Sequence, residues 1–132
     1  MNIWVCMNKQ LPLILILDGD SAVRNSLKFA LELEGLRIDG CATPEALWTY
    51  PQLAAAQCVI VDGRFTGQQP LDALATVQSA GVTVPIILAT SNCTESLRRR
   101  ALVKGASYVI EKPLLDSTLL EAIRAVVAMP QA

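Results

Sequence analysis

Short runs of apolar residues recur along this chain, and each has the length of a buried β-strand. Leu13–Leu17 and Val84–Ala89 are apolar throughout, which is typical of strands that are covered on both faces of a parallel sheet. The five predicted strands are Leu13–Leu17, Leu36–Cys41, Cys58–Val61, Val84–Ala89 and Ser107–Glu111.

Helical patterns separate and follow these strands. Gly35 ends the first predicted helix, and Pro44 stands in the first turn of the second, where proline is well tolerated. In the last helix, Leu120, Ile123 and Val127 recur at helical spacing. The five predicted helices cover Ser21–Glu34, a segment that opens at Thr43 to Glu45, about Leu71–Ala80, about Glu95–Lys104, and Ser117–Ala128.

This alternation predicts an α/β fold, a (βα)5 doubly wound five-stranded parallel sheet with helices on both faces. The length of 132 residues suits one domain with a proper core. We assign residues 11–128 to that domain, with residues 1–10 as an N-terminal tail and residues 129–132 as a C-terminal tail.

Polar residues follow four of the predicted strands. In open parallel sheets, ligands bind at the carboxyl ends of the strands, so these side chains are expected to meet at one edge. They are Asp18 and Asp20, Asp62, Thr90 and Ser91, and Lys112.

The predicted cluster suits phosphoryl chemistry. Convergent carboxylates such as Asp18, Asp20 and Asp62 form an oxygen site for Mg²⁺. A carboxylate beside that cation can attack phosphorus and become an aspartyl phosphate, a reaction that depends mainly on positioning and charge neutralisation. The Thr90 hydroxyl and the Lys112 ammonium are suitable partners for the added oxygens.

Composition and charge narrow the function classes. A net charge of −1 disfavours a surface dedicated to binding nucleic acid directly. The four cysteines lie far apart and the chain has no histidine, which excludes a typical zinc site and predicts small buried thiols in a reducing cytoplasm. The apolar run before Asp18 is too short to span a membrane, so we predict a cytoplasmic protein without membrane attachment.

The sequence resembles the receiver domains of bacterial two-component response regulators from Leu11 to Ala128. The matching segments are ILILDGDSAVRNSL, CVIVDGR, VPIILATS, KGASYVIEKP and LLEAIRAVV. The resemblance implies a flavodoxin-like receiver fold in which Asp62 accepts phosphate from a histidine kinase or phosphotransfer protein. It further implies that Thr90 and Lys112 contact the phosphoryl group and that the Lys112–Pro113 peptide bond is cis.

The implied Mg²⁺ ligands are the side chains of Asp18, Asp20 and Asp62 and the backbone carbonyl of Arg64. Receivers usually carry two adjacent acids after the first strand, but here Gly19 takes the second place. Asp20 is left with two interpretations, as a ligand brought in by the flexible Gly19 backbone or as an acid at a helix N-terminus. We therefore predict weaker Mg²⁺ binding than in receivers with both acids.

Two further departures concern the switch. The Met-Pro pair that usually follows the phosphoacceptor is replaced by Phe65-Thr66, with Gln69-Pro70 later. The aromatic residue usual at three positions before the lysine is Val109, with Tyr108 beside it. Coupling through Thr90 is accordingly expected to be weakened or rerouted.

We interpret the chain as a stand-alone receiver that acts as a signalling switch or relay and is not an enzyme beyond modification of its own Asp62. Its switching surface is predicted to be the fourth helix, fifth strand and fifth helix, which also offers a homodimer face. There the run Arg98 to Arg100 is either a solvated helix face or a partner contact. Thr90 and Ser91 have an alternative role as caps of that helix.

Two alternative functions remain open at this stage. One is a degenerate receiver that docks an unknown downstream protein without using phosphate. The other is a haloacid-dehalogenase-type phosphatase, because DGDSAV resembles the DxD motif of that class. The acidic pair that such phosphatases need late in the chain is missing after Ser91.

Overall fold

The computed structural model describes residues 11–65, 69–114 and 117–128. Strands and helices alternate throughout this part of the chain. The strands are β1 (Leu13–Leu17), β2 (Arg37–Cys41), β3 (Cys58–Asp62), β4 (Ile86–Thr90) and β5 (Tyr108–Glu111). The helices are α1 (Ser21–Glu32), α2 (Pro44–Trp48), α3 (Pro70–Ser79), α4 (Glu95–Val103) and α5 (Ser117–Ala128), with a short 3₁₀ turn at Leu53–Ala55. Both predicted tails lie outside the described residues.

All five strands are parallel, in the order β2-β1-β3-β4-β5. The predicted α/β fold with a doubly wound sheet is confirmed. The sheet's centre is apolar because every residue of β1 and the first four of β3 are buried. The order of strands changes direction between β1 and β3, which is where such sheets place their ligand sites.

Successive strand residues point to opposite faces, so the sheet supports two cores. Leu15, Leu17 and Val59 belong to one core, which also contains Leu47, Leu74 and Ala101 from α2, α3 and α4. Ile14, Ile16 and Ile60 belong to the other, which also contains Leu27 from α1 and Ile123 from α5. With helices on both faces, the carboxyl ends of the strands stay accessible.

Several boundaries differ from the sequence prediction. α1 ends at Glu32 instead of Glu34 because the chain turns there, with Gly35 at a φ of +86°. β4 begins at Ile86, two residues later than predicted, after Pro85, which has no N–H to donate to a sheet. The 3₁₀ turn at Leu53–Ala55 was not predicted.

The alternative role of Thr90 and Ser91 as helix caps is wrong. Thr90 is the last residue of β4, and the N-cap of α4 is Thr94, whose hydroxyl accepts a hydrogen bond from the Leu97 N–H at 3.1 Å. Thr90 therefore belongs to the carboxyl end of β4, which lies between the carboxyl ends of β3 and β5.

Candidate functional site

Two carboxylates lie side by side at the carboxyl edge of the sheet. Asp62 is the last residue of β3, and Asp18 directly follows β1. The two strands are hydrogen-bonded neighbours with Leu17 opposite Val61, so the acids that follow these residues are adjacent. The ends of the two buried strands therefore bring the carboxylates of Asp18 and Asp62 next to each other.

Lys112 lies between the two acids. Its Nζ is 2.8 Å from Asp62 Oδ1 and 3.8 Å from Asp18 Oδ2. The backbone N–H of Lys112 donates to the Thr90 carbonyl oxygen at 2.9 Å, which fixes the side chain's origin next to β4. The Lys112–Pro113 peptide bond is cis, as the resemblance implied.

The loop after Asp62 folds back tightly onto the sheet. The Arg64 N–H donates to Asp62 Oδ1 at 3.2 Å, and the Gly63 N–H donates to the Ala89 carbonyl oxygen at 2.7 Å. A Cβ at Gly63 would stand 3.0 Å from that carbonyl oxygen and 3.0 Å from Pro70 Cβ. Glycine is therefore needed here for close approach of the loop to β4 and α3. Thr66 lies outside the described residues.

Asp18 is the buried acid of the pair, with only 3% of its surface exposed. Its Oδ1 accepts a hydrogen bond from the Asp20 N–H at 2.9 Å. Burial raises the pKa of Asp18, and the nearby Asp62 charge raises it further, against the lowering effects of the Asp20 N–H and the Lys112 ammonium. The pocket thus holds a carboxylate whose negative charge is costly until a cation offsets it.

Asp20 does not join this pair. Its carboxylate accepts a hydrogen bond from the Ala22 N–H at 2.9 Å and forms the N-cap of α1. Of the two interpretations of Asp20, the structure therefore supports the acid at a helix N-terminus. Across the described part of the chain, no group of three or more acidic, histidine or cysteine side chains is arranged to hold a metal ion.

Gly19 occupies open space. A Cβ built there would meet no atom within 4 Å, and Gly19 is not among the glycines with positive φ. Neither crowding nor backbone strain therefore requires glycine at this position. Gly19 therefore affects the pocket only by adding no side chain to it.

Thr90 and Ser91 lie on the far side of Asp62 from Asp18. Thr90 is buried, whereas Ser91 is exposed. Both line an open groove of about 650 Å³ beside the pocket, which Arg64 and Arg100 also border. Arg64 contacts Asp62 through its backbone N–H, and its side chain is exposed to solvent.

The sequence did not point to Arg24 as a site residue. Its Nη1 donates to the backbone carbonyl oxygen of Asp18 at 2.8 Å, which ties α1 to the loop that carries Gly19. A Cβ at Gly40 would lie 2.8 Å from Arg24 Cδ, so the arginine stem packs against β2 at the position where that strand has no side chain. An isolated glycine inside a predicted strand was the available signal.

A second arginine fixes α4 against β5. Arg98 Nη1 donates to the Val109 carbonyl oxygen at 2.8 Å. Val109 is buried, and its neighbour Tyr108 is 38% exposed. The first arginine of the run therefore makes a structural contact, while Arg99 and Arg100 are exposed.

Of the four cysteines, three are within the described residues and carry free thiols. Cys41 and Cys58 are buried, and burial raises the pKa of Cys58 to about 12. Such thiols behave as small apolar side chains, not as nucleophiles. None of the helices described here has the length and apolar character required to cross a membrane.

Comparison with known proteins places this geometry in a family. Residues 14–124 match the model of the response regulator receiver domain. The chain is 30% identical over 119 residues to the transcriptional regulatory protein FixJ of Azorhizobium caulinodans, covering 90% of this chain and 56% of that protein. It is 30% identical over 118 residues to the response regulator protein TmoT of Ectopseudomonas mendocina, covering 89% and 54%. The chain thus spans about half the length of these relatives.

Solved structures agree with this family and fold. The crystal structure of FixJ-N has a TM-score of 0.75 at 25% identity and covers 94% of this chain and 99% of that one. The non-phosphorylated HemR receiver domain from Leptospira biflexa has a TM-score of 0.76 at 21% identity, covering 92% and 98%. With the family model matching most of its length, this chain belongs to the receiver domains of two-component response regulators.

Proposed function

We propose that Asp62 accepts a phosphoryl group and that this modification switches a protein-binding surface of the domain. The observation that carries the proposal is the contact of Lys112 Nζ with Asp62 Oδ1 at 2.8 Å, next to the buried Asp18. An acid, a second acid and an ammonium from three different strand ends are suited to bind and transfer a phosphoryl group. Receiver domains are generally not enzymes, and we assign this one no catalysis beyond changes at its own Asp62.

The proposed step is a displacement at phosphorus. An Asp62 carboxylate oxygen attacks the phosphorus atom of a phosphohistidine on a histidine kinase or phosphotransfer protein. The new O–P bond forms while the P–N bond breaks, and the released imidazole takes up a proton. Since Lys112 and the Arg64 N–H both contact Oδ1, Oδ2 is the oxygen we expect to attack.

Lys112 and Thr90 are proposed to hold the transferred group. The Lys112 ammonium is close enough to both acids to follow the negative charge as it moves from the carboxylate to the phosphoryl oxygens. Thr90 ends the adjacent strand β4, and its hydroxyl is proposed to donate to one of these oxygens. Both residues would be positioned by the same backbone hydrogen bond, from the Lys112 N–H to the Thr90 carbonyl oxygen.

The acidic pair fits Mg²⁺ even without a third carboxylate. Mg²⁺ usually keeps several waters and binds one or two carboxylates together with substrate phosphates, and Asp18 and Asp62 supply such a pair. When bound, the cation offsets the negative charge of the acids and of the incoming phosphoryl group. Because Gly19 adds no ligand and Asp20 caps α1, we propose weak Mg²⁺ binding before the phosphoryl group arrives.

The switching surface is proposed to include α4, β5 and α5. The Arg98 contact with Val109 joins α4 to β5, and β5 leads directly into Lys112. A shift of Lys112 or Thr90 on phosphorylation is therefore expected to reach this surface through backbone contacts. The aromatic side chain that usually takes part in this coupling is replaced here by Val109. We propose a downstream protein as the partner there and a cytoplasmic location, consistent with the free thiols.

A phosphate-independent docking module is the second candidate function. The observation in its favour is the incomplete acidic pocket, in which Gly19 has open space and no side chain. The family assignment argues against the third reading of the sequence, a haloacid-dehalogenase-type phosphatase.

Intact mass after incubation with acetyl phosphate and Mg²⁺ tests the proposal. The parent chain is expected to gain one phosphoryl group, Asp62→Asn none, and Asp72→Asn as much as the parent, since Asp72 is an exposed acid at the start of α3. Equal labelling of Asp62→Asn would move the modification to another residue. No labelling of the parent, under conditions that label a receiver with both acids, would favour the docking module.

A further inference from the structure

Two cations of α1, Arg24 and Lys28, each donate a hydrogen bond to a backbone carbonyl oxygen. They lie four residues apart, so their side chains leave the same side of the helix, toward β2. Lys28 Nζ donates to the Ile38 carbonyl oxygen, within β2, at 2.7 Å. Arg24 Nη1 donates to the Asp18 carbonyl oxygen, in the loop between β1 and α1, at 2.8 Å. The two contacts are alike in chemistry, but of the two only the Arg24 contact reaches the acidic pocket.

The loop that Arg24 holds provides one carboxylate to the pocket. Asp18 supplies that carboxylate, because Gly19 has no side chain and Asp20 caps α1. The direction of the Asp18 side chain depends on how the backbone of this loop is held. Glycine leaves the backbone more freedom than any other residue, so the conformation at Gly19 has to be fixed by contacts made elsewhere.

Three hydrogen bonds hold Asp18 in place. Its N–H donates to the Cys41 carbonyl oxygen at 3.1 Å, and its Oδ1 accepts the Asp20 N–H at 2.9 Å. The third is the bond from Arg24 to its carbonyl oxygen, and of the three it is the one made by a side chain of another element. This carbonyl belongs to the peptide group that joins Asp18 to Gly19, so the guanidinium fixes the plane of that peptide group.

β2 leaves the space through which Arg24 reaches the loop. A Cβ at Gly40 would lie 2.8 Å from Arg24 Cδ and 3.3 Å from Arg24 Cβ. Gly40 is not among the glycines with positive φ, so its backbone does not require glycine. The space needed by the Arg24 stem therefore accounts for glycine at position 40.

We propose that Arg24 is a positioning residue for the Mg²⁺ site. By holding the peptide group between Asp18 and Gly19, it keeps the Asp18 carboxylate directed into the pocket that it shares with Asp62. This role presupposes the magnesium site of the phosphorylation proposed above. Groups that orient a metal ligand commonly change metal affinity by about 10- to 100-fold when they are removed.

Arg24 and Lys112 act on different parts of Asp18. Lys112 Nζ lies 3.8 Å from Asp18 Oδ2, whereas Arg24 donates to the backbone carbonyl oxygen. Lys112 competes with a metal ion because both are cations that bind carboxylate oxygens. Arg24 occupies neither carboxylate oxygen, so it orients the ligand without taking the place of Mg²⁺.

Calorimetric titration with Mg²⁺ tests this role. Arg24→Met keeps an apolar stem but removes the guanidinium, and we expect it to bind Mg²⁺ about tenfold more weakly than the parent. Lys28→Met is the matched control, since it removes the equivalent contact one helical turn away. It should bind Mg²⁺ as the parent does. Urea unfolding measures the stability of both variants, which separates a general loss of stability from an effect on the site.

Gly40→Val tests the same role with Arg24 still present. Valine suits a β-strand, and its side chain would occupy the space of the Arg24 stem and displace the guanidinium from the Asp18 carbonyl oxygen. The variant is therefore expected to lose Mg²⁺ affinity in the same direction as Arg24→Met. Parent affinity in Gly40→Val would contradict the proposed role.

Two other results would overturn the role of Arg24. One is an Arg24→Met variant with the parent's affinity, or with a loss no greater than that of Lys28→Met. The other is a parent that binds no Mg²⁺, because no metal site would then need positioning. Labelling with acetyl phosphate is judged separately. A parent that binds Mg²⁺ but gains no phosphoryl group contradicts the proposed phosphorylation, while the affinities still decide the role of Arg24.

Discussion

Lys112 Nζ lies 2.8 Å from Asp62 Oδ1, although 50 positions separate the two residues in the chain. The contact exists because parallel strands deliver their carboxyl ends to one edge of the sheet. Asp62 alone would be an ordinary acid at the end of a strand, and Lys112 alone an ordinary lysine before a proline. Their pairing next to the buried Asp18 makes phosphoryl transfer the best-supported chemistry of this domain.

Removing the Lys112 ammonium is expected to lower the rate at which Asp62 is phosphorylated. In Lys112→Met the phosphoryl oxygens lose a cation in a site where charge develops, which predicts a rate about 100-fold lower with acetyl phosphate. The rate of mass gain measures this effect. Lys104→Met, at an exposed lysine after α4, is the matched control and should label at the parent rate. Equal rates for Lys112→Met and the parent would remove Lys112 from the proposed mechanism.

Restoring a side chain at position 19 should strengthen Mg²⁺ binding. Gly19→Asp adds a carboxylate in open space, without strain, and we expect an affinity about tenfold higher because a third acid adds charge and a ligand. The same variant should be less stable than the parent when Mg²⁺ is removed, since like charges then crowd the pocket. Calorimetric titration with Mg²⁺ and urea unfolding in a chelator measure the two effects.

Gly19→Ala is the control that adds a side chain at position 19 without adding a carboxylate. The added methyl group meets no atom within 4 Å, so this variant should bind Mg²⁺ as weakly as the parent. A gain in affinity for Gly19→Ala equal to that for Gly19→Asp would show that backbone rigidity, not a missing ligand, limits Mg²⁺ binding.

The fold was largely predictable because its signals are local. β1 and α5 were predicted to the residue, since continuous apolar runs and helical spacing are properties of short segments. The role of Asp20 was not decided by the sequence, because one carboxylate serves equally well as a cap or as a ligand and only its direction separates the two. Arg24 was missed for a related reason, because its contact depends on the missing side chain at Gly40 in β2, and the sequence does not show which residue of that strand the Arg24 side chain meets.

Two substitutions at Asp20 distinguish its role as a helix cap from a role in the metal site. Because its carboxylate accepts the Ala22 N–H, Asp20→Ala should lower the free energy of unfolding by about 1 kcal/mol, whereas Asp20→Ser, also a good N-cap, should stay close to the parent. Both should keep the parent's affinity for Mg²⁺. Urea unfolding and calorimetric titration measure these quantities. A loss of Mg²⁺ affinity in the stable Asp20→Ser variant would return Asp20 to the set of metal ligands.

Burial of Asp18 predicts a pH dependence of stability with a defined sign. Its pKa is raised above the ordinary value of 3.8, mainly by burial, so between 3.8 and the raised value the folded state binds more protons than the unfolded state. Asp18 therefore lowers stability as the pH rises through this window, and the cost is complete above it. Each unit of pKa difference corresponds to about 1.4 kcal/mol.

Asp18→Asn should remove that cost while keeping an oxygen for the Asp20 N–H. Without Mg²⁺, the variant is expected to be more stable than the parent at about pH 7.5 and to lose this advantage as the pH falls toward 3.8. Urea unfolding in a chelator at several pH values measures the difference, with the exposed Asp72→Asn as a control that should show no such gain. An Asp18→Asn variant less stable than the parent at that higher pH would mean that attraction to Lys112 outweighs burial. Asp18 would then be a structural ion-pair partner instead of a charge held ready for a cation.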